Sequence, residues 1–247
     1  MPLPRRLLAA IAAVPLFLAA CDQPLSSQGQ FAADPLPDAA AAPVFPRPDR
    51  PVAPIVSDQY SDEASRDREG EAALVLQLLG VQPGLRVADI GAGRGYYTVR
   101  LAPAVGPTGI VFANDVLPPV LSRLNERVIR EGLANVRPIL GGPGNANLPP
   151  GSTDLALMVH MYHEIEDPYG LLWHLHGQLR SGGRVAILEN DRPTRLHGTP
   201  PALLLCELEQ AGFRQTEFHD LPTGSYLAVF EPTTRPAPDD ITPCSAG

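Results

Sequence analysis

The chain contains no lysine: all 19 of its basic residues are arginine. A Walker-type phosphate loop needs a Lys ammonium against the phosphates, and a pyridoxal phosphate enzyme needs one for its Schiff base, so both classes are excluded. A GC-rich genome, which the abundance of Ala, Pro, Gly and Arg also suggests, explains the missing Lys as well as any functional cause. An excess of positive charge is lacking too. The 19 Arg against 27 Asp plus Glu leave a formal net charge of −8 and a pI near 5.2, opposite to what phosphate-backbone binding requires, so a general nucleic-acid partner is disfavoured. Cysteine is scarce: Cys21, Cys206 and Cys244 offer neither a disulfide framework nor a metal spacing. Cys206, inside an expected amphipathic helix, reads as a small buried apolar residue, and Cys244 falls in the tail.

Long apolar runs are also missing. The stretch Leu7 to Ala20 is too short to span a bilayer comfortably, and with Arg5 and Arg6 ahead of it residues 1–21 have the build of a secretory signal. The sequence Leu18-Ala19-Ala20-Cys21 resembles a bacterial lipoprotein cleavage box. That resemblance implies that Cys21 is lipidated and anchors the mature chain to the membrane, in the cell envelope and facing the periplasm. A plain signal peptide that happens to contain Cys is the alternative, and a cytoplasmic location follows if the start or signal is not used. Residues 22–57 are rich in Pro and Ala and show no apolar period, which predicts a disordered linker, and residues 233–247 are expected to be a disordered tail for the same reason.

What remains, residues 58–232, has room for one sizeable core and no second full domain. Short apolar runs alternate with helix-length amphipathic stretches, the pattern of an α/β, mainly parallel sheet covered on both faces. The spacing predicts helices at 63–79, 97–105, 118–131, 169–179 and 201–211. Strands are expected at 86–90, 109–114, 136–140, 154–159, 184–189, 215–219 and 226–230. Ligands of such sheets bind beyond the carboxyl ends of the strands, so the loops after strands one, two and four carry the functional expectation.

The first of those loops reads Asp89-Ile90-Gly91-Ala92-Gly93-Arg94-Gly95-Tyr96-Tyr97. Glycine permits the positive φ angles and close backbone approach that a ligand over the turn requires. A dinucleotide fingerprint would place Gly or Ala at position 96, where Tyr stands, and this argues against a dehydrogenase. Strand two ends Asn114-Asp115, a carboxylate about twenty residues past the loop, which could accept from two ribose hydroxyls. Taken alone, Asp115 could equally cap the following helix.

The segments Val87 to Leu101, Asp115, and Asp154 through Gly183 resemble the ubiquinone and arsenite-type small-molecule methyltransferases of class I. The run Ser152 to Leu157, the segment His163-Glu164-Ile165-Glu166-Asp167-Pro168 and the turn Leu179 to Arg184 carry the likeness in the second half. The resemblance implies a Rossmann-like seven-stranded, mostly parallel sheet of order 3-2-1-4-5-7-6 and S-adenosylmethionine as cofactor. It implies cofactor contacts at Asp89, Gly91, Ala92, Gly93, Gly95, Tyr97 and Asp115. One departure stands out: where that family has Gly-Asp after strand three, this chain has Gly141-Gly142-Pro143-Gly144-Asn145-Ala146-Asn147. Asn145 or Asn147 could hydrogen-bond adenine instead, with Asn147 taken as the cofactor contact. Weaker cofactor binding or a lost activity is the other outcome.

Methyl transfer from a sulfonium needs alignment above all, an effect of roughly 7–11 kcal/mol at its upper range. A base is needed only if the acceptor atom carries a proton. His163, after strand four, is the first candidate because an imidazole titrates near neutrality, and His197, in the loop after strand five, is the second. His163 could instead serve only packing. Glu164, Glu166 and Asp167 read as a polar helix start. No histidine pair shows a recognised ligand spacing with a third partner, so no metal is assigned. The sequence thus points to a methyltransferase acting on a small molecule. The other reading is a non-catalytic exported lipoprotein that keeps the fold as a binding module, because the methyl donor is made in the cytoplasm while the signal sends the domain outside.

Overall fold

The computed structural model describes residues 43–56 and 63–245. The expected signal, the lipidation position Cys21 and most of the linker lie outside these residues. These described residues form one compact unit.

The chain opens with α1 (Glu63–Glu69) and α2 (Glu71–Leu78). A single helix was expected here, but Gly70, at φ 69°, turns the backbone left-handed and divides it. The Rossmann-like units follow: β1 (Arg86–Ile90), α3 (Thr98–Val105), β2 (Ile110–Asp115), α4 (Pro118–Arg130), β3 (Val136–Leu140) and β4 (Thr153–Val159). A 3-10 turn at Tyr162–Glu164 precedes α5 (Pro168–Gln178), β5 (Leu179–Asn190), α6 (Pro201–Gln210), β6 (Phe213–Asp220) and β7 (Ser225–Pro232). Local chemistry sets several of the helix starts. Asp167 caps α5 by accepting from the Gly170 N–H at 2.9 Å, and Pro168 takes the first helical position, where its missing N–H is no loss. Two prolines open α4 in the same way.

The seven strands lie in the order β3-β2-β1-β4-β5-β7-β6, parallel up to β5, with β7 antiparallel to both β5 and β6. The alternation of β1 shows how the two faces are filled. Val87 joins Leu101, Leu124 and Val75 under α2, α3 and α4, while Ala88 and Ile90 join Leu172, Leu175 and Leu204 under α5 and α6. Both faces being covered, the strands read as nearly continuous apolar runs.

Two expectations of disorder are corrected. In the segment 233–245, Ile241 and Cys244 are buried, and Cys244 forms a disulfide with Cys206 of α6, so Cys206 is not a free apolar filler. The Cys244 N–H also donates to the Tyr169 hydroxyl at 2.9 Å, and Trp173 Nε1 donates to the Pro236 carbonyl at 3.0 Å. Residues 43–56, expected as linker, pack as a strap. The Phe45 ring lies 5.5 Å from that of Trp173, Ser245 donates to Asp49, and the buried Arg50 pairs with the fully buried Glu207 at 2.9 Å. Composition averages over a segment and cannot see a few long-range anchors, whereas the prolines leave such a segment little entropy to lose on ordering.

Candidate functional site

A cavity of about 710 Å³ opens at the carboxyl ends of β1, β2, β4 and β5, in the size range of sites for small ligands and cofactors. One wall is the glycine loop. Gly91, Gly93 and Gly95 all have positive φ, at 69°, 57° and 85°, which side chains rarely adopt. A Cβ on Gly91 would also lie 2.8 Å from the Met161 side chain, so the space above this residue is shared with a flexible thioether. Asp115 closes the loop from behind: one carboxylate oxygen accepts from Gly93 N–H at 3.0 Å and the other from Leu117 N–H at 2.9 Å. Asp115 is buried yet borders the cavity with Gly91, Ala92 and Gly93. Val116, Leu117 and Pro143 add apolar wall beside it.

Four expected contacts lie elsewhere. Asp89, only 3% exposed, accepts from the Thr98 hydroxyl at 2.6 Å and stands off the cavity wall at the start of α3. Burial pushes its carboxyl up to about 6, against the opposing effect of the Thr98 hydrogen bonds. Gly95 serves packing, since a Cβ there would sit 2.5 Å from Leu124 of α4. Tyr97 is buried and donates to Glu71 at 3.1 Å; its neighbour Tyr96 reaches the cavity instead. Asn147 is exposed and turned back on its own loop, its amide donating to the Leu140 carbonyl at 3.0 Å. Asn145 accepts from Gln178 at 2.7 Å, so neither amide borders the cavity, and Gly142 and Pro143 take that stretch of wall.

The opposite wall follows β4 and β5. His163 is buried, and its Nδ1–H donates to Glu189 at 2.9 Å. Glu189 is fully buried at the end of β5 and also accepts from the Tyr162 and Asn190 N–H groups at 3.0 and 3.2 Å. That hydrogen bond fixes the tautomer and leaves the Nε2 lone pair of His163 available. The His197 ring meets that of His163 edge-on with centroids 5.3 Å apart, so the two expected histidines do converge. The strap holds this wall from outside. Arg50 donates to the Tyr162 and His163 carbonyls, Ala53 N–H to the His163 carbonyl, and Val56 N–H to Glu164 at 3.1 Å. Burial raises the Glu164 carboxyl above its ordinary value. At the rim, burial disfavours the Glu71 carboxylate, but hydrogen bonds from His160 and Arg66 outweigh it and hold the group down at about 2.

Sequence reasoning missed Glu189, Glu71 and Arg50. An acid at the carboxyl end of a core strand was a signal for Glu189. Arg50 left none, because its partners lie 112 to 157 positions away.

Residues 88–187 match the family described as a methyltransferase domain. The chain is 29% identical to a demethylmenaquinone methyltransferase from Geobacillus sp. (strain WCH70) over 119 residues, 48% of this chain and 51% of that protein. A ubiquinone/menaquinone biosynthesis C-methyltransferase from Ectopseudomonas mendocina is 30% identical over 119 residues, 48% of this chain and 46% of that one. Thus the chain spans about half the length of the curated relatives it matches. A SAM-dependent methyltransferase structure from Aquifex aeolicus superposes with a TM-score of 0.62 at 23% identity, over 69% of this chain and 98% of that one. This is the class I methyltransferase fold. The cofactor of such a methyltransferase domain is S-adenosylmethionine, and the residues fit it. Left-handed glycines bring bare backbone to the cavity, the Asp115 carboxylate borders it, and apolar side chains wall the space beside it.

Proposed function

We propose that this protein transfers the methyl group of S-adenosylmethionine to a small acceptor bound between the glycine loop and the His163–Glu189 pair. One observation carries the reading: a single cavity is bordered both by the Asp115-braced glycine loop and by an imidazole oriented by a buried carboxylate. The cofactor supplies an electrophilic methyl bound to sulfur. Gly91 to Gly93 would flank its amino-acid end, Asp115 would accept from its ribose hydroxyls, and Val116, Leu117 and Pro143 would flank its base. Glu189 holds the His163 ring so that Nε2 points its lone pair at the acceptor's exchangeable proton, while His197 and Met161 confine the acceptor to one line of approach. The acceptor class we infer is a compact molecule with a weakly acidic oxygen, nitrogen or carbon, since Ile55, Val56 and Leu196 make that end of the cavity partly apolar. Calorimetric titration of the full chain with S-adenosylmethionine and with its demethylated product should give binding of both; no heat from either sinks the proposal. Mass spectrometry of small molecules released from natively purified protein identifies the acceptor.

We further propose that the domain works in the cell envelope, anchored through Cys21 and facing the periplasm. The Cys206–Cys244 disulfide supports this, because such bonds persist in oxidising compartments and are rare in the cytosol. A Cys21→Ala variant should leave the membrane fraction; one that stays wholly membrane-bound refutes lipid anchoring.

A further inference from the structure

The acceptor wall holds more donor atoms than proton transfer requires. One nitrogen each of His163 and His197 and one carboxylate oxygen of Glu164 all lie within 4.8 Å of one another. We propose that these three side chains form a binding site for a divalent transition cation, opening onto the acceptor end of the cavity.

Each donor is steered into place separately. Because Glu189 takes the Nδ1–H of His163, the ring offers Nε2, which lies 4.0 Å from Glu164 Oε1. A carboxylate behind a ligating imidazole is the arrangement that fixes ring orientation and raises ligand basicity in metal sites. Glu164 is held from the strap by the Val56 N–H, and His197 sits at φ 57° with its own N–H donating to Thr194 at 3.0 Å. Nitrogen and oxygen ligands bind Zn²⁺ at about 2.0–2.2 Å, so neighbouring donors around an ion stand roughly 3 Å apart. Closing from the present spacing takes a shift of about an ångström, within reach of the partly exposed Glu164 and His197 side chains while His163 stays fixed.

Charge favours the same conclusion. Two carboxylates, Glu164 and Glu189, face His163 with no Arg in hydrogen-bond contact with either among the contacts found in the described residues. A dication would offset both. Two imidazoles and one carboxylate suit Zn²⁺, Fe²⁺ or Mn²⁺ and do not suit Mg²⁺ or Ca²⁺, which take oxygen ligands. All three residues border the cavity, so the remaining coordination positions face the space where an acceptor would lie. This role rests on the methyltransferase reading: an acceptor hydroxyl bound to the cation would release its proton to water more readily, and its oxygen would then bond to the methyl carbon as the carbon–sulfur bond breaks and the demethylated cofactor leaves as a neutral thioether. With the cation bound, Nε2 is its ligand and the acceptor's proton passes to water; in the cation-free protein Nε2 takes that proton itself.

The test is calorimetric titration of chelator-stripped full chain with ZnCl₂, followed on the same samples by S-adenosylmethionine. One ion per chain should bind. His197→Ala and Glu164→Gln, both at partly exposed loop positions, should each weaken it at least tenfold, and Glu189→Gln, a positioning residue, roughly 10–100-fold. His219→Ala, on the far strand β6, should leave it unchanged. Absence of Zn²⁺ binding, or binding indifferent to His197 and Glu164, overturns the cation site even if the cofactor binds normally. A normal Zn²⁺ isotherm without any heat from S-adenosylmethionine would instead fell the cofactor reading and leave the site standing. Circular dichroism melts of each variant confirm that it is folded.

Discussion

The two walls of the cavity are built in opposite ways. The glycine-loop wall is local: Gly93, in the loop after β1, and the Asp115 that braces it, at the end of β2, stand 22 positions apart beyond two adjacent parallel strands. The acceptor wall is gathered from the whole chain. His163 meets Glu189 across 26 positions and Arg50 across 113, and the strap that carries Arg50 packs beside a tail fastened by a disulfide. A wall made by one strand–turn–helix unit is inherited with the fold, whereas a wall assembled from remote segments can be changed without disturbing the sheet. Under the proposed function, recognition of the cofactor would fall to the first wall and choice of acceptor to the second.

The sharpest way to break this division is to remove the His163–Glu189 pair. His163→Ala should lower kcat by roughly 10²–10⁴-fold, as loss of a proton-handling group does. Glu189→Gln should fall in the same direction by less, and neither should change the affinity for S-adenosylmethionine more than about twofold. Steady-state kinetics beside calorimetry read the two effects separately. A variant that loses cofactor affinity as much as turnover would show that the walls are not independent.

Next in size is the disulfide. Cys206 and Cys244 are 38 positions apart, and closing a loop of that order is worth about 3–4 kcal/mol. Cys206→Ser should lower the unfolding free energy by about that much in urea titration, and reductant should do the same to the parent chain while leaving the variant unmoved. Loosening the tail also loosens the strap that holds the Tyr162 and His163 carbonyls. Turnover should therefore drop more than cofactor affinity does. Asp115→Ala sharpens the comparison from the other side. Losing one or two charge-assisted hydrogen bonds costs about 2–3 kcal/mol, so the cofactor Kd should rise roughly 30- to 150-fold.

The same division explains what could be read in advance. The strand positions and the glycine turn follow from apolar runs and residue types, which are local signals, whereas the sheet order was implied by the resemblance to class I methyltransferases. His163 and His197 could each be singled out by chemistry after a strand end, although nothing in their spacing of 34 residues shows that their rings meet. The strap and tail were misjudged because Pro-rich composition hides single anchors such as Phe45, Arg50 and Cys244. Asn147 failed for another reason. Its left-handed backbone, φ 54°, swings the amide toward Leu140, a loop geometry that residue type alone does not disclose.

The smallest expected effect separates two carboxylates that flank the glycine loop. Asp89 is raised from 3.8 to about 6 by burial, so the folded protein holds its proton over a range where the unfolded chain has released it. Stability from this group is full below about pH 4 and is lost as pH rises to about 6, by some 2–3 kcal/mol for a shift of about two units. Glu71 runs the other way: lowered from 4.5 to about 2, it adds stability above pH 4.5 that disappears only as the solution is acidified toward pH 2. Denaturation curves between pH 4 and 6 therefore report on Asp89 nearly alone of this pair. Asp89→Asn should flatten that slope and leave cofactor affinity almost unchanged, because the side chain caps α3 and stands off the cavity wall. If the slope survives, or if the variant loses the cofactor, Asp89 faces the ligand after all, and the glycine-loop wall is broader than its present lining.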